Sequence, residues 1–329
     1  MRLFAEFIAV ALALLLAGPA WAQPDDAGTL VVGIQESGTV QWEIETIKAL
    51  NLDDKHGLTL EIRPLADSRA GQIALQAGAV DVILSDFVWV TIQRNQGNAV
   101  TMVPHSLAVG GLMVPAGSDI AGVEDLAGHT IAVAGGPVDK SWVMLRAYYN
   151  SVTGGTLTDD VRASYGAPPL VNELLVSGGV DAALNFWHWN ARAKVAGAVE
   201  LLSVADMFAA LGISEPPPLL GWTFTDQTGR KKNAAITAFL DASFEAKAAL
   251  LGDDGAWTGL QALMGAEGDD ALFAQLRDDY RAGIVAGYDP TAMTAAGKAF
   301  ALMAEFGGSE LVGETDILDA GTFWPDYRR

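Results

Sequence analysis

Two ten-residue stretches of the sequence, LQAGAVDVIL at Leu75–Leu84 and LVSGGVDAAL at Leu175–Leu184, lie 100 residues apart and share Leu, Gly, Val, Asp and Leu at matching positions. Each stretch is typical of a helix that ends on a glycine, followed by a turn with an aspartate and then by a buried strand. Tryptophans keep the same spacing, at Trp42 and Trp142 and at Trp89 and Trp189. Coincidence between two ordinary helix-to-strand turns is the alternative. The order of the surrounding elements favours two similar lobes.

The neighbouring segments repeat the same alternation of strands and helices. Strands are predicted at residues 30–34, 58–62 and 80–84, with helices at 40–52 and 69–77 between them. The pattern restarts with a strand at 130–134, helices at 142–150 and 170–176, and a strand at 180–184. This order predicts an α/β protein in which each lobe is a mostly parallel sheet flanked by helices.

Two extended segments connect the predicted lobes. His105–Pro115 contains a Gly-Gly pair, and Glu215–Thr223 contains three consecutive prolines, which cannot continue a helix. Two crossings indicate that one lobe is inserted into the other. We therefore expect lobe 1 at residues 23–110 and 222–329 and lobe 2 at residues 111–221, with a largely helical C-terminal part.

Composition excludes several classes of protein. The 329 residues include 20 Lys and Arg against 40 Asp and Glu, a net charge of −20, which argues against nucleic acid as a partner. Half of the residues are apolar, too many for a disordered chain. The absence of cysteine excludes disulfides, thiol catalysis and metal–thiolate sites, and four histidines make a multi-histidine metal site unexpected.

The first 22 residues have the pattern of a secretory signal peptide. Arg2 precedes an apolar run at residues 7–17, and Gly18-Pro19 and the small residues Ala20 and Ala22 follow it. The run is shorter than the about 20 residues that span a membrane. A buried N-terminal helix is the alternative. We expect cleavage after Ala22 and a periplasmic protein.

Four predicted loops directly follow predicted strands. In parallel sheets, ligands bind beyond the carboxyl ends of the strands, which is where these loops lie. They are Gln35–Thr39, running on to Trp42; Ser85–Phe87; Gly135–Ser141; and Asn185–Trp189. The first and third precede helices, whose free N–H groups can hold an oxyanion or a carbonyl. Ser37, Thr39 and Ser141 alternatively only cap those helices.

The second and fourth loops are rich in aromatic rings, which suit a planar or apolar ligand. Because alternate side chains of a strand face opposite sides, half of the fourth loop at most lines a site, and we select Asn185 and Trp187. Asp86 is a candidate acceptor for a ligand or a helix cap.

No catalytic motif accompanies these loops: Gly-x-Ser-x-Gly and His-Glu-x-x-His are both absent. His188 is the one histidine in a predicted cleft loop. Arg69 and Lys140 are the nearest candidate partners for an anionic ligand. We therefore predict neither catalytic residues nor a metal or cofactor.

Several of these segments together resemble the periplasmic substrate-binding proteins of ABC importers in the nitrate/sulfonate/taurine (NitT/TauT) group. The resemblance rests on residues 30–34 with their Ser-Gly loop, 77–85, 123–133 and 180–189. Trp187-His188-Trp189 stands where that group commonly has Trp-Glu-Pro. This departure favours a larger, partly aromatic or heterocyclic ligand, and a small sulfonate-like anion is the alternative. A related cytosolic branch that makes the thiamine pyrimidine has a Cys-rich motif, which this chain lacks.

The resemblance implies a two-lobed periplasmic-binding-protein fold (type II), joined by two crossover strands, that closes on a small molecule and delivers it to a membrane permease. It implies a monomer without a cofactor. A periplasmic enzyme and a ligand-sensing partner of a membrane receptor remain alternatives. With Thr39 of the first loop, the ligand-binding positions it implies are Ser37, Gly38, Trp42, Asp86, Phe87, Gly136, Pro137, Asn185 and Trp187.

Overall fold

Ten strands form two five-stranded sheets in the computed structural model, which describes residues 26–36, 38–290 and 293–329. The signal peptide predicted at residues 1–22 and its cleavage site lie outside the described residues, as does Ser37. The strands are β1 (Gly28–Gln35), β2 (Leu58–Leu65), β3 (Val82–Asp86), β4 (Val100–Ser106), β5 (Gly111–Val114), β6 (Thr130–Ala134), β7 (Arg162–Gly166), β8 (Ala182–Asn185), β9 (Val199–Ser203) and β10 (Leu220–Thr225).

Helices cover both sheets, together with short 3-10 turns at Val123–Leu126 and Asp254–Trp257. The helices are α1 (Val40–Ala49), α2 (Leu52–Lys55), α3 (Ser68–Gln76), α4 (Phe87–Asn95), α5 (Lys140–Thr153), α6 (Leu157–Asp160), α7 (Pro168–Val176), α8 (Trp187–Val195), α9 (Val204–Ala210), α10 (Asp226–Lys231), α11 (Asn233–Gly252), α12 (Gln261–Met264), α13 (Asp270–Ala282), α14 (Thr294–Gly307) and α15 (Ser309–Val312). None of the helices within the described residues is long and apolar enough to cross a membrane.

The two sheets have the same plan. The first has the strand order β2-β1-β3-β10-β4, and the second has the order β7-β6-β8-β5-β9. In each, one strand that arrives from the other lobe runs antiparallel to both of its neighbours: β10 in the first sheet and β5 in the second. The remaining pairs are parallel. The predicted α/β fold of two lobes, each with a mostly parallel sheet flanked by helices, is confirmed.

The repeated aspartate has the same structural role in both lobes. The carboxylate of Asp81 accepts the N–H of Val31 at 2.8 Å, and that of Asp181 accepts the N–H of Thr130 at 2.7 Å. Each aspartate therefore joins its turn to a parallel strand of its own lobe, β1 for Asp81 and β6 for Asp181. The preceding glycines, Gly78 and Gly178, have φ of +67° and +73°, a backbone conformation that L side chains rarely adopt.

The C-terminal helices lie on both lobes. Helix α11 packs on α1 and β1 of lobe 1, but α13 packs against α8 and α14 packs against α5, both of which belong to lobe 2. Helix α15 returns to α4 of lobe 1. The lobe boundaries at residues 110/111 and 221/222 stay a prediction, and within the segment assigned to lobe 1 the helices α13 and α14 make contacts with lobe 2.

The strands expected at 80–84 and 180–184 begin at Val82 and Ala182, and the loop expected at Ser85–Phe87 is the end of β3 and the start of α4. Two other predicted elements also differ from the structure. The helix expected at residues 40–52 ends at Ala49, because Asn51 adopts a left-handed conformation (φ +51°) before α2 begins. The loop expected at Asn185–Trp189 is wrong from Trp187 onward, where α8 begins. Phe186 precedes that helix and offers no side-chain cap, so the start of α8 carries no capping signal in the sequence.

Candidate functional site

A cavity of about 930 Å³ lies between the two lobes. Its wall includes Gln35–Glu36 and residues 38–42 of lobe 1, residues 139–141 and 186–189 of lobe 2, both crossing segments, and Tyr280 of α13. A volume of this size falls in the range of small-molecule sites, about 300–1,000 Å³. The predicted cleft loops thus meet at one space.

Five predicted ligand-binding residues line this cavity, namely Gly38, Thr39, Trp42, Asp86 and Trp187. Ser37 belongs to the same loop but lies outside the described residues. Four others are not on the cavity wall: Phe87, Gly136, Pro137 and Asn185.

Local structure explains two of these positions. The side chain of Phe87 is fully buried in the hydrophobic core, since α4 begins there and turns it away from the cleft. The amide of Asn185 donates to the carbonyl of Pro168 at 2.9 Å and accepts the N–H of Phe186 at 2.9 Å. Asn185 therefore holds the turn into α8, with both polar atoms of its side chain bonded to the backbone and the residue only 4% exposed.

Aromatic side chains form one wall of the cavity. The ring centroids of Trp42 and Trp187 are 5.8 Å apart at an interplanar angle of 88°, and Tyr280 lies 5.6 Å and 6.1 Å from them. Trp257 packs behind Trp42 at 6.2 Å. Trp42 is only 2% exposed, whereas Trp187 is partly exposed. Trp187 therefore offers the accessible ring, and Trp42 and Tyr280 support it from two other segments of the chain.

Three aspartates cap helices whose N-termini point at the cavity. Asp67 accepts the N–H of Ala70 in α3, Asp86 accepts that of Trp89 in α4, and Asp139 accepts those of residues 141 and 142 in α5. Asp67 and Asp139 also line the cavity. Thr39 makes no side-chain cap, and Ser141 leaves that role to Asp139. Each of the three helix termini thus carries a carboxylate of the chain itself.

An ion pair joins the lobes across the cavity. Nζ of Lys140 lies 3.2 Å from the carboxylate of Asp86, and both groups are largely buried. Burial alone lowers the pKa of Lys140, but the carboxylates of Asp86 and Asp139 outweigh it and hold that pKa above its ordinary value. Burial raises the pKa of Asp139, against the opposing effect of Lys140. Lys140 is therefore a firmly charged ammonium group with two carboxylate neighbours.

The other basic groups near the cavity are neutral or engaged. Burial lowers the pKa of His188 and of His105 to about 4, so both imidazoles are neutral at pH 7. Arg192 donates to the carbonyls of residues 188 and 264, and its guanidinium lies 5.0 Å from the centroid of the Trp189 ring. Arg69 is exposed and does not line the cavity.

A buried charged cluster lies behind the aromatic wall. The carboxylate of Glu43, the residue after Trp42, is 2.9 Å from Nζ of Lys247 and accepts the hydroxyl of Ser243. Glu43 is fully buried, and Lys247 is 2% exposed. Nδ1 of His105 lies 3.4 Å from the same carboxylate. The sequence analysis missed this cluster, because its members lie in distant segments and carry no shared motif.

A family model gives the chain its place among known proteins. The model described as NMT1/THI5 like matches residues 54–253. The chain belongs to this NMT1/THI5-like family. No curated protein sequence matches it significantly. Among the residues that the structure describes, no cluster of three or more His, Asp or Glu side chains could hold a metal ion.

Solved structures share the fold of this NMT1/THI5-like protein. The aliphatic sulphonate binding protein SsuA from Escherichia coli matches with a TM-score of 0.70 at 18% identity, over 90% of this chain and 92% of that chain. The alkanesulfonate-binding protein SsuA from Xanthomonas axonopodis pv. citri, bound to MOPS, matches with a TM-score of 0.65 at 17% identity, over 90% of this chain and 98% of that chain. The enzyme DszB matches with a TM-score of 0.58 at 15% identity, over 91% of this chain and 97% of that chain. Its structure is that of a cysteine-to-serine variant in complex with biphenyl-2-sulfinic acid. The periplasmic-binding-protein fold is thereby confirmed.

Proposed function

We propose that this protein is a periplasmic solute-binding protein, which holds a small molecule between its lobes and delivers it to the permease of an ABC importer. The observation that carries the proposal is the cavity of about 930 Å³ that both lobes, both crossing segments and α13 line together. The SsuA proteins, which share the fold, are named for binding sulfonates and support a binding role.

Binding without catalysis is the second part of the proposal. The DszB variant replaces a cysteine, and this chain has no cysteine to supply thiol chemistry. Both histidines of the cavity wall are uncharged at neutral pH, and Asp86 and Asp139 are engaged in helix caps. Turnover of a bound ligand by the purified protein would contradict this part.

Lobe movement is the expected route for ligand capture. The crossing segments at residues 107–110 and 214–219 join the two sheets and are the expected hinge. A ligand that contacts both lobes binds the closed form better than the open one, and this difference drives closure. A ring compound fits best, because Trp187 presents an aromatic face. We further propose that the protein acts as a monomer.

Export is directly testable. When the full chain is expressed in a Gram-negative bacterium, we expect the protein in the periplasmic fraction with Gln23 as its first residue, because the small residues Ala20 and Ala22 suit signal peptidase. N-terminal sequencing and intact mass measure this. A full-length chain retained in the cytoplasm would contradict the prediction.

Native mass spectrometry of the purified protein tests the binding function. We expect a co-purified small molecule, and thermal unfolding should shift upward with the concentration of that molecule, because it binds the folded state only. A protein that carries no molecule and that no member of a panel of pyrimidines, flavins, sulfonates and nitrate stabilises would overturn the proposal.

Trp187→Ala should weaken binding of that molecule by about 5- to 30-fold, since the variant loses the accessible ring of the cavity and with it about 1–2 kcal/mol of ring contact. Isothermal titration calorimetry measures the affinity. Trp89→Ala is the control, because Trp89 is also a partly exposed tryptophan in the first turn of a helix, α4, but does not line the cavity. Equal affinity losses in both variants, or an unfolded Trp187→Ala protein, would show that Trp187 is a core residue.

A further inference from the structure

Carboxylates outnumber cations on the cavity wall. Among the described residues that line it, the acidic side chains are Glu36, Asp67, Asp86 and Asp139, whereas the permanent cations are Lys140 and Arg192. The two histidines of the wall are neutral at pH 7. The formal charge of these six side chains is therefore 2 − 4 = −2 when all of them are ionised.

Both cations are already engaged. Lys140 lies 3.2 Å from Asp86 and is also attracted by Asp139, so its charge is balanced within the wall. The guanidinium of Arg192 donates to two backbone carbonyls and lies over a tryptophan ring. An anionic ligand would have to separate Lys140 from Asp86 and leave that carboxylate without its partner.

Three helix N-termini at the cavity, those of α3, α4 and α5, are engaged as well, whereas α1 and α8 begin there without a side-chain cap. In anion-binding sites, the free N–H groups of a helix start hold the sulfonate, phosphate or carboxylate. Here the carboxylates of Asp67, Asp86 and Asp139 accept those N–H groups in α3, α4 and α5. An incoming anion would meet a carboxylate at each of these positions.

We propose that the ion pair between Asp86 and Lys140 determines the charge selectivity of the site: it pairs the ammonium group of the described cavity wall with a carboxylate, so the cavity takes a neutral or positively charged ring compound and rejects the matching anion. This inference rests on the proposed binding function and narrows its ligand class. The same pair lies between the lobes, so a ligand that leaves it intact also leaves an interlobe contact in place.

Two conservative variants each remove one charge of the ion pair. Asp86→Asn removes the carboxylate and retains a side-chain oxygen for the N–H of Trp89, so the cap of α4 remains. Lys140→Gln removes the ammonium and leaves Asp86 and Asp139 unbalanced. The probes are benzenesulfonate, benzenesulfonamide and benzylamine, which share one ring and differ in charge. Binding is measured by thermal shift and by calorimetry at millimolar concentration.

We expect the wild-type protein to bind benzenesulfonamide or benzylamine and to discriminate against benzenesulfonate. In Asp86→Asn, the affinity ratio of benzenesulfonate to benzenesulfonamide should rise on the order of tenfold, because Lys140 becomes free. In Lys140→Gln, the ratio of benzylamine to benzenesulfonamide should rise by a similar factor. If the ion pair has only a structural role, each substitution should change the affinities for the three probes by the same factor.

The failures of the two proposals are distinguishable. Stronger binding of benzenesulfonate than of its amide by the wild type, or ratios that do not move in the variants, would overturn the charge selectivity and leave the binding function standing. If no probe binds any form of the protein, the charge selectivity is judged from the molecule that native mass spectrometry finds retained. A retained anion overturns the inference, and a retained neutral or cationic ring compound supports it. No retained molecule, together with no binding of these probes or of the panel of pyrimidines, flavins, sulfonates and nitrate, would overturn both.

Discussion

Glu43→Ala should lower the free energy of unfolding by about 3–5 kcal/mol, the range measured when one partner of a buried ion pair is removed. The variant leaves the ammonium of Lys247 buried, 2% exposed, without its carboxylate. Burial already lowers the pKa of Lys247, and Glu43 is the group that opposes this effect. Ser243 and His105 lose a neighbour in the same step. Equilibrium unfolding in urea measures the change.

The neighbouring position supplies the control. Glu45 lies exposed on the same helix, α1, so Glu45→Ala should change stability by about 0.5 kcal/mol or less. The double variant Glu43→Gln with Lys247→Met should recover more than half of the loss, because it buries no unpaired charge. A Glu43→Ala protein within about 1 kcal/mol of wild type would contradict the buried pair.

Acid should destabilise the protein through His105, by up to about 3 kcal/mol. Burial lowers the pKa of His105 from 6.5 to about 4 in the folded state. Between these values the unfolded chain binds a proton that the folded chain does not, so stability falls as the pH falls from 6.5 to 4. Above and below this window the contribution of His105 is constant.

The difference between wild type and His105→Gln isolates this contribution from the carboxylates. Stability measured from pH 7 to pH 4 should fall less steeply in His105→Gln than in wild type. Identical slopes in wild type and His105→Gln would show that the imidazole is accessible to protons in the folded protein.

The sequence predicted the lobes because their determinants are local. A glycine that ends a helix, an aspartate in the turn and a short apolar strand are read from ten residues, and Asp81 and Asp181 make the bonds that this pattern requires. The contacts of α13 and α14 with lobe 2 were missed, because an amphipathic face shows that a helix packs and does not show its partner.

The site was predicted at the level of loops and only partly at the level of residues. Trp42, Asp86 and Trp187 line the cavity, whereas Phe87 turns into the core one residue after Asp86. The direction of a side chain at a strand-to-helix junction depends on where the helix begins, and Phe186 gave no signal for that start. Tyr280 carries no local sequence signal for the site, because only the tertiary structure brings α13 to the cavity.

The C-terminal segment adds a mechanical constraint. After the second crossing segment, the chain contacts lobe 2 through α13 and then returns to the first crossing segment, where Ile284 pairs with Ser106. It contacts lobe 2 once more through α14 and ends on lobe 1. Opening must therefore carry these two helices along with lobe 2 or slide them over it, and either movement strains the short connections between them. We expect a narrow range of opening and slow exchange of the occupant, with a long residence time.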